Sequence, residues 1–96
     1  VAEDAAGRIV GCVAVSLSVR IVGGLRTDIE SFVVDEAERS KGVGAQLLSA
    51  AENWARENGG RRVRLLSNVV RERAHAFYER NGYVKLKAEY VLEKNL

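Results

Sequence analysis

The sequence predicts an α/β fold in the broad sense, with helices and strands in one domain. More closely, it predicts an α+β protein with one mixed sheet and the element order β-β-β-α-β-α-β-β. Three features of the 96 residues support this prediction. Runs of β-branched residues are bounded by Gly and Asn, which is typical of strands. Two later segments change to the spacing of amphipathic helices. A helix that joins two strands usually places them side by side in parallel, so a mixed sheet follows.

The N-terminal third predicts the first three strands. The stretch VAEDAAGRIVGCVAVSLSVRI indicates a short strand, a turn over residues 4–7 and a longer strand that pairs back as a hairpin. The third strand lies in LRTDIESFVVDE, where the apolar residues break strict alternation. A β-bulge within residues 30–32 would explain this break.

Residues 42–58 predict the first helix, which Gly59 ends. Its apolar residues recur at helical spacing, and we expect the largest of them, Trp54, in the core. The other members of this stripe are Leu47, Leu48, Ala51 and Ala55.

Three further segments complete the order. RRVRLLS predicts a short buried strand, and RERAHAFYERNG predicts a helix with Ala74, Phe77 and Tyr78 on one face and Gly82 at its end. YVKLKAEYVLEKNL predicts two short strands. We expect one domain over residues 1–96, and the chain begins with Val1, so we expect it to be part of a longer protein.

Composition excludes several classes of function. The net charge is +2 and the basic residues are scattered, so no nucleic-acid partner is expected. Arg61, Arg62 and Arg64 lack interleaved aromatic residues and are interpreted as a solvated strand end. Cys12 is the sole cysteine, which excludes a disulfide framework and a cysteine metal site. No apolar run approaches a membrane span and no signal peptide is visible, so a cytoplasmic protein without a membrane partner is expected.

The stretch ERSKGVGAQLL places two glycines where the first helix begins. A helix N-terminus offers unpaired N–H groups and partial positive charge to an anion. Gly42 and Gly44 would let a phosphate approach the main chain, and Arg39 and Lys41 would add charge. The alternative is that the two glycines only shape a tight connection, and the pair alone does not decide between these interpretations.

Two motifs resemble one family. RSKGVG is similar to the [QR]-x-x-G-x-[GA] pyrophosphate loop of the GNAT superfamily of acetyl-CoA-dependent N-acetyltransferases. RAHAFYERNGY, some thirty residues later, resembles the second signature of that family. The resemblance covers most of the chain and implies the acyl-CoA N-acyltransferase fold. It also implies that a strand and helix pair, which the family places before the first hairpin, is missing here.

The resemblance implies a set of site residues and acetyl-CoA as the cofactor. The third strand would splay from its parallel neighbour and bind the pantetheine arm through its main chain, and the glycine loop would bind the pyrophosphate. Arg71 stands where the family often has a cofactor-binding Asn, and Asn68 is the alternative one turn earlier. Tyr78 would direct its hydroxyl at the thioester sulfur. The implied cofactor contacts are Phe32, Val33, Val34, Arg39, Ser40, Lys41, Gly42, Val43, Gly44, Ala45, Asn68, Arg71 and Tyr78, with no metal.

Two polar residues need separate interpretation. Glu30, inside an otherwise apolar strand, is either on the solvent face or the catalytic base, and both interpretations stay open. Ala74 and Phe77 share the apolar face of the second predicted helix and His75 lies elsewhere on it, so we expect a packing or surface role.

Two functions remain in view. The first is direct acetyl transfer from acetyl-CoA to a primary amine of a small molecule or protein, with Glu30 as base and Tyr78 as acid. The second is a non-catalytic CoA-binding sensor or regulatory module. The identity of the amine, and the choice between monomer and homodimer, are left open.

Overall fold

The computed structural model describes residues 1–20, 24–39 and 41–96, without the side chain of Arg20. Within these ranges, four strands and two α-helices follow in the order β-β-β-α-β-α, which confirms the first six predicted elements. They are β1 (Ala2–Glu3), β2 (Ile9–Arg20), β3 (Gly24–Val34), α1 (Val43–Glu57), β4 (Val63–Leu65) and α2 (Glu72–Arg80).

The four strands form one mixed sheet in the order β1-β2-β3-β4. The first three are antiparallel, and the predicted N-terminal hairpin is confirmed. Its turn is held by Asp4, whose Oδ1 accepts the N–H groups of Ala6 and Arg8, each at 2.9 Å. The N–H of Arg8 is the main cause that lowers the pKa of Asp4, helped by the N–H of Ala6 and the Arg8 charge.

The predicted bulge in β3 is confirmed and falls at Glu30. Ala14 of β2 pairs with Ser31, and the next residue, Val15, pairs with Ile29, so Glu30 is the extra residue. The bulge shifts the alternation of the strand by one position beyond that point.

The predicted parallel pair is confirmed between β3 and β4, but it is short. Thr27 pairs with Val63, and the pairing ends with Ile29 opposite Leu65. The prediction that this strand is buried was wrong in degree. All three residues of β4 are half-buried, because β4 lies at the edge of the sheet.

Helix α1 covers one face of β2 and β3. Its buried residues are Leu47, Leu48, Ala51 and Ala55, as the stripe predicted. Trp54 is only half-buried, so its predicted core position was wrong. At 100° per residue Trp54 lies roughly 120° from Leu48 around the helix, which places it on the flank of the buried stripe.

Close packing of α1 on the sheet depends on Gly11 in β2. A Cβ at this position would lie 3.0 Å from Leu47 Cδ1 and 3.3 Å from Val43 Cγ1. Gly11 therefore faces the first turns of α1, and its missing side chain sets how near that end of the helix comes to the sheet.

The chain divides into two compact units, Val1–Leu66 and Ser67–Leu96. The second unit holds α2, followed by Asn81 as its C-cap and Gly82 with φ +92°. The prediction of two strands over residues 83–96 was wrong, because this segment forms no hydrogen-bonded ladder. Its unit contains no strand to pair with, and apolar residues such as Leu86 and Val91 are exposed. Among the described residues, no helix has the length and apolar character of a membrane span.

Candidate active site

The candidate site begins where β3 ends. The N–H of Asp35 donates to the carbonyl of Val10 at 2.7 Å, which fixes the end of β3 against β2. Asp35 then caps a single 3₁₀ turn, Glu36–Glu38, by accepting the N–H of Ala37 at 3.3 Å. This acidic turn leads into the glycine loop and α1.

Gly42 is the N-cap of α1 and has a left-handed backbone, with φ +84° and ψ 0°. Left-handed φ and ψ favour glycine because any L side chain there is strained. A Cβ at Gly42 would meet no described atom within 4 Å, so it would project into open space. The glycine is thus required by the backbone, and the space in front of it is accessible.

The first turn of α1 has the features of an anion site. Among the described residues no side chain caps it, and it contains no acidic residue. The first intrahelical bond runs from the N–H of Gln46 to the Gly42 carbonyl at 3.1 Å. The N–H groups before Gln46, on Val43, Gly44 and Ala45, have no carbonyl acceptor within the helix. Together with the helix dipole they favour a negatively charged group.

Two basic residues accompany this turn. Arg39 is exposed, and Lys41 is exposed with its Nζ 3.6 Å from Glu38 Oε2. Ser40, the other predicted contact of this loop, lies outside the described residues. The loop therefore combines two cations with the helix N-terminus, and the acidic turn precedes it.

The second part of the site is the far half of β3. The β4 pairing ends at Ile29, whereas β3 continues to Val34, so β4 does not pair with the strand beyond the bulge. The hydrogen bond from the Asp35 N–H to the Val10 carbonyl fixes which residues of β3 direct their main-chain N–H and C=O groups at β2. By alternation, Val33 directs its main chain at β2, and Phe32 and Val34 direct theirs at the side where β4 has ended.

Glu30 is exposed at the bulge. Its Oε1 accepts a hydrogen bond from Ser16 Oγ on β2 at 2.5 Å. The bond restrains a carboxylate that the bulge places on the sheet face opposite α1. Whether Glu30 acts as a base stays a prediction.

A row of polar residues on that face was not predicted. Ser18 Oγ donates to Asp28 Oδ2 at 2.9 Å, and Arg26 Nε donates to Asp28 Oδ1 at 2.8 Å. With Ser16 and Glu30 they form two polar cross-strand groups. The sequence signal was the alternation of Ser16 with Ser18 on β2 against Asp28 and Glu30 on β3.

The second unit holds the remaining predicted residues. Asn68 Oδ1 accepts the N–H of Val70 at 3.1 Å, and the Asn68 carbonyl accepts the N–H of Arg71 at 3.0 Å. His75 Nε2 lies 2.9 Å from the same carbonyl, so the ring holds the turn before α2. This contact gives His75 a structural role. Cofactor contacts by Asn68 and Arg71 stay predictions.

Tyr78 lies half-buried on α2, edge-to-face with Phe77 and Tyr83 at centroid distances of 5.5 and 6.0 Å. Burial raises the pKa of Tyr78 above its ordinary value, and the charge of Arg71 opposes this in part. The phenol therefore keeps its proton at neutral pH. Glu30 belongs to the first unit and Tyr78 to the second.

With this geometry established, comparison with known proteins identifies the family. The model of the acetyltransferase (GNAT) family matches residues 1–83. The chain belongs to the GNAT acetyltransferase family, which confirms the resemblance that the two sequence motifs indicated.

Two curated relatives and one solved structure are similar to this chain. An uncharacterized N-acetyltransferase, YhfO, of Bacillus subtilis is 44% identical over 52 residues, which are 54% of this chain and 34% of the relative. The aminoalkylphosphonate N-acetyltransferase of Salmonella typhimurium is 41% identical over 56 residues, 58% of this chain and 36% of the relative. The crystal structure of a transcriptional regulator from Bacillus halodurans has a TM-score of 0.85 and 28% identity, over 92% of this chain and 60% of that one.

The chain is shorter than these proteins. It spans about a third of the length of both curated relatives and three-fifths of the solved structure. The match to the family model, over residues 1–83, contains the glycine loop and α1.

Proposed function

We propose that this domain is an acetyl-CoA-dependent N-acetyltransferase that transfers the acetyl group to a primary amine by direct attack. The observation that carries the proposal is the left-handed Gly42 at the start of a helix that no described side chain caps. Family membership and the relatives named N-acetyltransferases support it.

The residues present fit a pyrophosphate. A cradle for an anion needs N–H donors, positive charge and space that a Cβ would fill, and Gly42 supplies that space. Val43, Gly44 and Ala45 would donate their N–H groups, and Arg39 and Lys41 would add charge. The main chain of Phe32 and Val34 would bind the pantetheine arm at the side where β4 has ended.

Acetyl-CoA would supply the acetyl group as a reactive thioester. In direct attack the amine nitrogen bonds to the acetyl carbon and the carbon–sulfur bond breaks. Glu30 takes a proton from the amine, directly or through a water, and Ser16 holds its other oxygen. Tyr78 donates its proton from Oη to the departing thiolate, for which a phenol that stays protonated at neutral pH is suited.

The test is thiol release from acetyl-CoA by the complete protein, with a panel of primary amines. The panel includes an aminoalkylphosphonate, because one relative is named for that substrate. We expect release that depends on one class of amine and is matched by acetylated product. A blank without acetyl-CoA measures the thiol that the protein itself contributes, Cys12 included. Tight CoA binding without release under any amine would contradict catalysis and favour the sensor function.

Glu30 is tested by replacing its charge. Glu30→Gln should lower the turnover number by about 10² to 10⁴, the usual range for general acid–base assistance, and leave the affinity for acetyl-CoA nearly unchanged. The matched control is Glu57→Gln, which removes an exposed carboxylate at the C-terminal end of α1, away from the glycine loop. Equal turnover in the two variants would remove Glu30 from the mechanism.

A further inference from the structure

Arg8 connects two parts of the chain near the anion site. It lies in the turn between β1 and β2, with its Nε 3.5 Å from Asp4 Oδ2. Its Nη2 reaches the connection before α1, at 3.7 Å from Asp35 Oδ2 and 3.9 Å from Glu38 Oε1. Glu38 therefore stands between two cations, because its other oxygen is the partner of Lys41.

These contacts contribute little to stability. The side chain of Arg8 is 61% exposed, and exposed ion pairs at such distances add little to the folding free energy. Their position has another consequence. Asp35, Glu36 and Glu38 directly precede the glycine loop, so an arriving polyanion would meet three carboxylates.

We propose that Arg8 is a positioning residue for CoA binding, acting through Glu38 and Asp35. Its charge offsets the carboxylates beside the glycine loop, and its pairing holds Glu38 between Arg8 and Lys41, so that the acidic turn does not repel the phosphates. This proposal rests on the proposed function, because it assumes that the loop binds CoA.

The test measures the dissociation constant of CoA by calorimetry on the complete protein. Arg8→Gln should weaken binding about fivefold near 20 mM salt, and by less than about twofold near 0.5 M, where screening shortens electrostatic range. Arg8→Lys, which keeps the charge, should stay within about twofold of the parent. The KM for an acetyl thioester of pantetheine, which lacks the phosphates, should not change in Arg8→Gln.

Two variants separate the proposal from a general loss of charge or structure. Arg61→Gln removes the same charge beyond the far end of α1, about 20 Å away at 1.5 Å per residue, and should leave CoA binding within about twofold. Arg8→Gln combined with Glu38→Gln should return the affinity to within about twofold of the parent, because the carboxylate that Arg8 offsets is then neutral.

Three results would overturn the role of Arg8. They are an equal loss in Arg61→Gln, a loss that persists at high salt, and a double variant as weak as Arg8→Gln. If the parent itself does not bind CoA, the proposed function fails. If the parent binds CoA and Arg8→Gln binds equally well, only the role of Arg8 fails.

Discussion

Replacing Gly42 by Ala tests whether a bound phosphate occupies the space in front of this residue. The variant adds one Cβ at the N-cap of α1 and changes no charge. This Cβ would meet no described protein atom within 4 Å, so any steric conflict is with a ligand and not with the protein. The cost to the protein is backbone strain, because φ at this position is +84°.

The size of that cost follows from the backbone. A non-glycine residue in the left-handed region costs about 1–2 kcal/mol. For a domain of this size, each kcal/mol lowers the midpoint of thermal unfolding by about 4–8 °C. The Gly42→Ala protein should therefore remain folded at room temperature, with a lower thermal midpoint, and its helix content should be unchanged.

The assay compares CoA affinity in two variants with the same strain. Gly24, at the start of β3, has φ +71°, and no described atom lies within 4 Å of its Cβ position. Gly24→Ala should lose similar stability and keep its affinity for CoA. Gly42→Ala should bind CoA at least about tenfold more weakly, which corresponds to about 1.4 kcal/mol. If calorimetry shows the same affinity for both variants, the loop does not bind the pyrophosphate in the way its geometry indicates.

Three further predictions concern packing and protonation. Thr27 Oγ1 is fully buried without a hydrogen-bond partner among the described residues, so Thr27→Val should raise the unfolding free energy by about 1 kcal/mol in denaturant titration, and a loss would reveal a partner. Gly11→Ala places a Cβ 3.0 Å from Leu47 and should destabilise by about 1–3 kcal/mol in the same assay, where a neutral result would show that α1 can shift. The raised pKa of Tyr78 contributes stability that is present below about pH 10 and is lost as the pH rises through the folded-state pKa. Arg71→Gln removes the charge that lowers this pKa, so the pKa should rise further when tyrosinate absorbance is titrated, with Tyr78→Phe as the reference. A fall in the pKa would contradict the charge effect assigned to Arg71.

Local sequence signals predicted the elements whose partners are nearby in the chain. The phase break between Ile29 and Phe32 located the bulge, and the apolar stripe located α1. Both signals work because alternation and helical spacing report directly which side chains share a face. The glycine pair located the loop at the helix N-terminus because it directly precedes this stripe in the sequence.

Features that depend on tertiary contacts were missed. Residues 83–96 have strand-like composition, but a strand needs a partner whose backbone lies alongside, and composition does not supply one. Trp54 satisfied the helical spacing, yet its position on the flank of the stripe left it half-buried. Arg8 gave no signal in the sequence, because its contacts with Asp35 and Glu38 depend on how the first hairpin folds.

The bulge at Glu30 links the packing of β3 to the accessibility of its main chain. Phe32 and Val34 pair with Val13 and Gly11, and Gly11 faces α1, so the shift returns Phe32 and Val34 to the helix side. If β3 kept regular alternation through Glu30, without a bulge, the exposed Val33 would lie on that side instead. Glu30 also directly follows Ile29, the last residue of β3 that pairs with β4. One inserted residue thus anchors the end of β3 against α1 on one face, holds a carboxylate on the other, and marks the point beyond which β4 no longer pairs with the strand.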